Sequence, residues 1–167
     1  EWIYNPVPDF MYGFNIYLEY KNFDFTAFFQ GVQGVDIISD LKKETDIWAG
    51  LNIGFLNKGK RLLDAWSVNN PDSNIPALSL SDNNNEKRVS SYWVENGSYL
   101  KLRTIQLGYN FPQSIASKLA MQRLRMYVSA QNLFTIKSSS FTGVDPENPN
   151  YGYPIPLNIT FGLNVTF

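Results

Sequence analysis

The side chains with chemical potential in this sequence are carboxylates and aromatics, because it contains neither histidine nor cysteine. Ser-His-Asp triads, Cys-His pairs and the ordinary zinc motifs are therefore excluded. No glycine-rich phosphate loop is present. Acids gather in two irregular regions, Asp36, Asp40, Glu44 and Asp46 in the first and Asp145 and Glu147 in the second. Two carboxylates facing each other across a cleft are the machinery of glycoside hydrolysis. Acids are equally at home as solvated turn formers, and these six fit that description better. No catalytic residue, metal ligand or cofactor is assigned, and the chain is not read as an enzyme. The aromatics Trp48, Trp66, Tyr92 and Trp93 carry more promise, since exposed rings stack on sugars or anchor protein partners. They would serve just as well as the private core of a long loop.

Composition narrows the classes. The 167 residues suit one domain or a piece of something larger, with a net charge of -1 that gives no nucleic-acid footprint. Hydrophobic residues make up 44% and charged residues 17%, yet no apolar run is long enough for a membrane helix. Low charge with 16% aromatics fits a transmembrane β-barrel, whose two-residue period hides lipid-facing side chains from hydropathy averages. Lack of cysteine suits passage through an oxidising periplasm. The chain opens Glu1-Trp2-Ile3 without a signal peptide, so an exported protein is expected to carry further sequence upstream.

The elements that must position these groups are strands. In 157–167 (LNITFGLNVTF) the odd positions Leu157, Ile159, Phe161, Leu163, Val165 and Phe167 are apolar and the even ones small or polar. A strand there has one greasy and one wet face, and it ends on an aromatic of the greasy face. Lipid outside and a polar lumen inside explain that pattern, with Phe167 in the interfacial girdle. Ile159, Phe161, Leu163, Val165 and Phe167 then read as the barrel-assembly signal. Similar alternation predicts strands near 11–20 and 23–30, joined by a tight turn at Lys21-Asn22, and near 98–111 and 124–134. Parity puts Asn15, Asp24, Thr104, Gln106, Tyr127 and Gln131 on the wet, lumen-facing side. Phe28 breaks the alternation, as a lumen-lining aromatic or as the neighbour of a bulge.

Two strands disobey near one end. Lys101 and Arg103 fall on the greasy face, with Arg103 about 19 Å above Phe111 at roughly 3.3 Å per residue and 45° tilt. Either a bulge near Arg103 or a snorkelling side chain is expected. Asn132 violates its strand at the same height, which suggests that the greasy band ends there. Between strands lie the irregular stretches 31–97 and 135–156. Gly59 to Trp66 is expected to form a short amphipathic helix, Ser81 to Lys87 an exposed tip, and Ile115, Ala116, Leu119 and Ala120 one face of a helix in 112–123. Short turns alternate with long loops, as in outer-membrane barrels with long loops outside and Phe167 periplasmic. Five strands cannot close around a lumen, so the chain is expected to be a carboxy-terminal piece of a larger barrel or one protomer of an oligomeric one. The alternative is a soluble, aromatic-rich β-sandwich that binds carbohydrate, with two sheets closing one core.

Asn5 to Phe14 (NPVPDFMYGF), Lys21 to Gly34 (KNFDFTAFFQGVQG), Tyr92 to Phe111 (YWVENGSYLKLRTIQLGYNF) and Leu124 to Thr135 (LRMYVSAQNLFT) together resemble the carboxy-terminal end of the SusC/RagA family of TonB-dependent outer-membrane transporters. The resemblance implies an all-β, antiparallel transmembrane barrel of about 22 strands with a plugged lumen, of which this chain supplies the last five. It implies import of glycan or peptide oligomers powered through the TonB complex, with a SusD-like lipoprotein as lid over the extracellular mouth. The implied partners are that lipoprotein, TonB through a missing amino-terminal region, the barrel assembly machinery, the lipid bilayer and the substrate, with no nucleic acid. On this resemblance Trp48, Trp66, Tyr92 and Trp93 contact the lid or the substrate.

Overall fold

The computed structural model describes residues 4–46, 58–79, 85, 88–150 and 152–167. Five strands build its main sheet: β1 (Phe10–Tyr20), β2 (Phe23–Gln33), β5 (Tyr99–Asn110), β6 (Arg123–Lys137) and β7 (Asn158–Thr166). They lie in chain order, β1-β2-β5-β6-β7, each antiparallel to its neighbour. Above the centre of this sheet, β3 (Asp36–Ile38) pairs with β4 (Val94–Asn96) as a two-stranded extension.

The register converts the sequence alternation into rows. One face carries Tyr20, Phe23, Tyr109, Met126 and Leu163 side by side; then Leu18, Phe25, Leu107, Val128 and Phe161; then Ile16, Ala27, Ile105, Ala130 and Ile159. No polar side chain interrupts these rows. Neighbouring β-branched and aromatic side chains on a pleated face support one another at roughly 0.2–1 kcal/mol per pair. Yet this face is open: Phe161 is 81% exposed, and Leu18, Leu107, Ile159 and Leu163 are also exposed. So large an uncovered apolar surface marks an interaction face. A β-sandwich would cover it with a second sheet, but the only other sheet among the described residues is the small β3–β4 pair. The expectation of a soluble two-sheet module therefore finds no support in the architecture.

Arg103 sits in a bulge. The register of β5 against both neighbours jumps between Leu102 and Thr104, and β2 shifts opposite it between Phe28 and Phe29. An extra residue reverses parity beyond it. Leu102 thus joins Phe29 and Phe134 on the apolar face, followed by a row of Tyr12, Gly31, Leu100 and Ile136. Lys101 turns to the polar side beside Gln30 and Thr135. Of the two alternatives for Arg103, the bulge is the one realised. The expectation that the greasy band ends at this height is corrected, since two further apolar rows lie above it. Asn132 violates its strand for a local reason: it has φ 56°, left-handed backbone that Asn tolerates better than branched residues.

The helical expectations need adjustment. In place of an amphipathic helix over 59–66, Lys60–Asp64 form a 3-10 turn that buries Leu62 and leaves Leu63 exposed. Its flanks, Gly59 and Ala65, are extended. After Asn110, α2 (Gln113–Ala116) gives way to a 3-10 turn, Ser117–Leu119, and Ala120 at φ 56° stops it. Only Ala116 of the expected face is buried; Ile115 and Leu119 are exposed. The long connection also carries α1 (Asp40–Asp46) and a 3-10 turn at Ser91–Trp93. Most of the expected tip at Ser81 to Lys87 falls outside the described residues.

Candidate functional site

The second face of the sheet is the candidate site. Its rows read Asn15, Phe28, Thr104, Gln131 and Asn158; then Tyr17, Thr26, Gln106, Ser129 and Thr160; then Glu19, Asp24, Gly108, Tyr127 and Gly162. The register therefore brings Asn15, Asp24, Thr104, Gln106, Tyr127 and Gln131 onto one face. Phe28 is a large ring on the polar side and the neighbour of the bulge. Gly13 makes room for that ring, since a Cβ there would lie 3.3 Å from it.

Near the Phe111 end, Asp24 on β2 reaches across β5 to Arg125 on β6. The contact is bidentate, Arg125 Nε to Asp24 Oδ2 at 3.0 Å and Nη2 to Oδ1 at 2.5 Å. Strands two apart are separated by roughly 9.5 Å, so the pair must pass over whatever β5 presents. It presents Gly108, where a Cβ would collide with both partners. Asn110 donates a further bond to Asp24 at 3.1 Å, and the Arg125 guanidinium lies 5.3 Å from the ring centre of Tyr127.

The other end holds a second charged cluster. Lys101, 1% exposed, donates to Asp145 Oδ2 at 2.6 Å and to Glu147 Oε2 at 2.5 Å. Tyr99 donates its hydroxyl to Glu147 at 2.6 Å. Arg103 also pairs with Glu147 and donates Nε to Gln30 at 2.9 Å. Asp145 accepts the N–H of Glu147 at 3.0 Å, a local turn that sets both carboxylates toward these bases. Burial opposes ionisation of Glu147, but the hydrogen bonds from Lys101 and Tyr99 and the charges of Lys101 and Arg103 outweigh it. Its carboxyl is held below the usual carboxylate range. The sequence contained a signal for this cluster, two bases at 101 and 103 and two acids at 145 and 147.

The long connection has a core of its own. Asp46 accepts from Arg61 at 2.8 Å and from the Tyr92 hydroxyl at 2.9 Å. Burial, and then the bond to Asp46, push the Tyr92 phenol up. Glu95 accepts from the Thr142 N–H at 3.0 Å and pairs with Lys42 at 3.5 Å, tying the two loops together. Trp93 is 4% exposed and meets Tyr92 edge-on at 4.8 Å, so it packs the loop on itself. Trp66 is exposed. Trp48 and the side chains of Asp40 and Glu44 lie outside the described residues. Asp36 accepts the N–H of Asn5 at 3.0 Å. Each described acid weighed for hydrolysis is thus engaged in a structural bond.

Ile159, Phe161, Leu163 and Val165 line the apolar face at the β7 edge, and Phe167, one residue beyond the strand, is 80% exposed. No group of three or more potential metal ligands occurs among the described residues, and no described helix is long and apolar enough to cross a membrane.

No protein-family model matches the chain. Over 98% of its length it is 36% identical to TonB-dependent receptor P3 of Formosa agariphila, and over 100% it is 27% identical to TonB-dependent receptor SusC of Bacteroides thetaiotaomicron. Solved structures of the RagAB peptide importer match it in the open-open state, with a TM-score of 0.79 and 28% identity over 96% of the chain. Along nearly its whole length the chain is thus similar to TonB-dependent receptors, SusC among them. The closed-closed importer matches with a TM-score of 0.78. The chain spans 17% of the length of receptor P3, 16% of SusC and 17% of the matched importer chain.

Proposed function

We propose that this chain is a stretch of β-barrel wall from an outer-membrane transporter that imports nutrient oligomers, glycans or peptides, and is not an enzyme. The observation that carries the reading is the pair of faces: five antiparallel strands, apolar rows on one side and polar rows on the other, open at β1 and β7. In hydrocarbon every backbone group must be paired, so those edges require further strands, about 22 in all if the barrel is of the size the family implies. The apolar rows face lipid. Asn15, Asp24, Thr104, Gln106, Tyr127 and Gln131 face the lumen, and the connections 31–97 and 135–156 are extracellular.

Import is powered through the TonB complex, and a SusD-like lipoprotein serves as lid. Among the aromatics Trp48, Trp66, Tyr92 and Trp93, the exposure of Trp66 supports a contact with lid or substrate. Phe167 and the β7 apolar residues engage the barrel assembly machinery. Support for the peptide arm of the substrate class is the likeness to the RagAB peptide importer, and for the wider family the likeness to SusC.

Cysteine scanning of the full-length transporter in intact outer membranes tests the reading. Gln106→Cys should react with a small water-soluble maleimide, and Leu107→Cys should react only with a lipid-soluble one. Equal labelling of both positions by the water-soluble reagent refutes the barrel. Loss of growth on oligomeric but not monomeric nutrients on gene deletion tests import.

A further inference from the structure

At the Phe111 end of the sheet, the tight turn between β1 and β2 carries a cation on the apolar side. Tyr20 and Phe23 close this hairpin as a register pair, and with Tyr109, Met126 and Leu163 they form the lowest apolar row that crosses all five strands. Tyr20 is 70% exposed. The Lys21 ammonium stands 5.2 Å from the Tyr20 ring centre, so charge and apolar row meet at one place. Along the same row the rings of Phe23 and Tyr109 lie 4.8 Å apart, and Asn22 Nδ2 donates to the Tyr109 hydroxyl at 3.5 Å. Phe111 meets Tyr109 edge-on at 5.0 Å.

Lys21 differs from the arginines at this end. Arg125 is paired with Asp24, and Arg123 donates to Asn110 Oδ1 at 3.2 Å, both on the polar face. Among the described residues no carboxylate pairs with Lys21. Glu19, two positions away, faces the polar side and accepts from the Tyr17 hydroxyl. The Tyr20 ring attracts the ammonium without cancelling its charge. Lys21 also holds φ 55°, left-handed backbone that glycine or asparagine adopts at less cost. What a lysine supplies at this position is an uncompensated charge at the margin of an apolar surface.

We propose that Lys21 holds the phosphate of a phospholipid of the periplasmic leaflet, whose acyl chains lie along Tyr20 and Phe23 and then over Leu18, Phe25 and Leu107. The inference rests on the membrane-barrel reading above, which turns the apolar face to lipid and puts the connections 31–97 and 135–156 outside. The two-residue turn then lies at the opposite, periplasmic surface. Continuity selects a lipid over a soluble anion: the row of Leu18, Phe25 and Leu107 follows the Tyr20 row directly on the same face. An ammonium at the edge of such a face stands at the height of the lipid headgroups. A free phosphate meets the cation and leaves the rings and aliphatic rows uncovered. A phospholipid uses both, since a charge-assisted bond to the head adds to apolar contact along the chains.

The test uses the full-length transporter extracted from its own outer membrane. Native mass spectrometry counts and identifies the lipids retained per barrel after washing in neutral detergent, and heat-modifiable gel migration follows folding independently. Wild type should retain a phospholipid that folded Lys21→Gln retains about tenfold less. Lys21→Arg, which preserves the charge, should retain it at the wild-type level, and so should Lys118→Gln, which removes an exposed cation from the neighbouring turn. Wild-type retention in folded Lys21→Gln overturns the proposal. An equal loss in Lys118→Gln also overturns it, because the effect is then one of general surface charge. So does displacement of the lipid by millimolar inorganic phosphate, which shows a free-anion site instead. If the lipid lost in Lys21→Gln is a lipid A-type glycolipid, the turn lies at the outer leaflet and the proposal fails. A folded, detergent-requiring barrel that retains no phospholipid sinks this inference alone, whereas a protein soluble without detergent sinks the barrel reading beneath it.

Discussion

Replacing Lys101 by methionine keeps the length of the side chain and removes the ammonium that holds Asp145 at 2.6 Å and Glu147 at 2.5 Å. The side chain is 1% exposed, so water does not take its place. Each charge-assisted bond contributes roughly 1.5–3 kcal/mol, and breaking a buried pair by removing one partner costs roughly 3–5 kcal/mol. Glu147 keeps Arg103 and Tyr99, whereas among the described residues the Asp145 carboxylate keeps only the N–H of Glu147. The loss therefore falls mainly on Asp145, and a cost of about 3 kcal/mol is reasonable. It is felt where the connection from Ser138 to Leu157 docks on β5, and 3 kcal/mol corresponds to about a hundredfold rise in the undocked population. Limited proteolysis of the full-length transporter in detergent, at protease levels where redocking outpaces cleavage, should show that rise as a comparable increase in cleavage rate within this loop. A triple variant, Lys101→Met with Asp145→Asn and Glu147→Gln, removes the stranded charges and should return most of the way to wild type. Cleavage of Lys101→Met at the wild-type rate, or a triple variant worse than the single one, refutes the reasoning.

Three further outcomes follow from the same geometry. Leu107→Arg should lower the folded outer-membrane level, with a cost of roughly 2–4 kcal/mol if it lies at the bilayer midplane, while Gln106→Arg one residue away is tolerated; heat-modifiable gel migration reads both. Gly108→Val should break the Asp24–Arg125 bridge, because a Cβ there collides with both partners, at roughly 1–3 kcal/mol of overpacking measured by urea unfolding in micelles. The Glu147 carboxyl is lowered from its ordinary value of 4.5, so its contribution to loop docking is complete above that pH and lost as pH falls through the lower folded value. Cleavage of the loop by an acid-active protease should thus rise below about pH 4.5 in wild type and change much less in Glu147→Gln.

Strand content and facing were legible in the residues themselves. Alternation in Tyr12 to Tyr20, Phe23 to Phe29 and Ile159 to Phe167 fixes which side chains share a face, because the pleat has a period of two whatever surrounds it. That is why Asn15, Asp24, Thr104, Gln106, Tyr127 and Gln131 fall together on the polar face of the sheet. Trp66 and Trp93 show the opposite case. Both are loop aromatics, and nothing in their spacing tells that one is buried and the other exposed.

What the tertiary structure alone decided is how parity survives interruption and where charges find partners. Arg103 and Asn132 looked like the upper limit of the greasy band, but a bulge spends one residue and the apolar rows resume at Leu102 and Phe134. A one-residue shift is invisible to a pattern read along one strand, because it is defined only against the strands beside it. Likewise Lys101 meets Asp145 and Glu147 across more than forty positions of chain, and Asp24 meets Arg125 across a hundred and one. Local periodicity sets faces because it is a property of the backbone; pairing at such separations is set by sheet order and by the space that Gly108 leaves open, which only the folded chain defines.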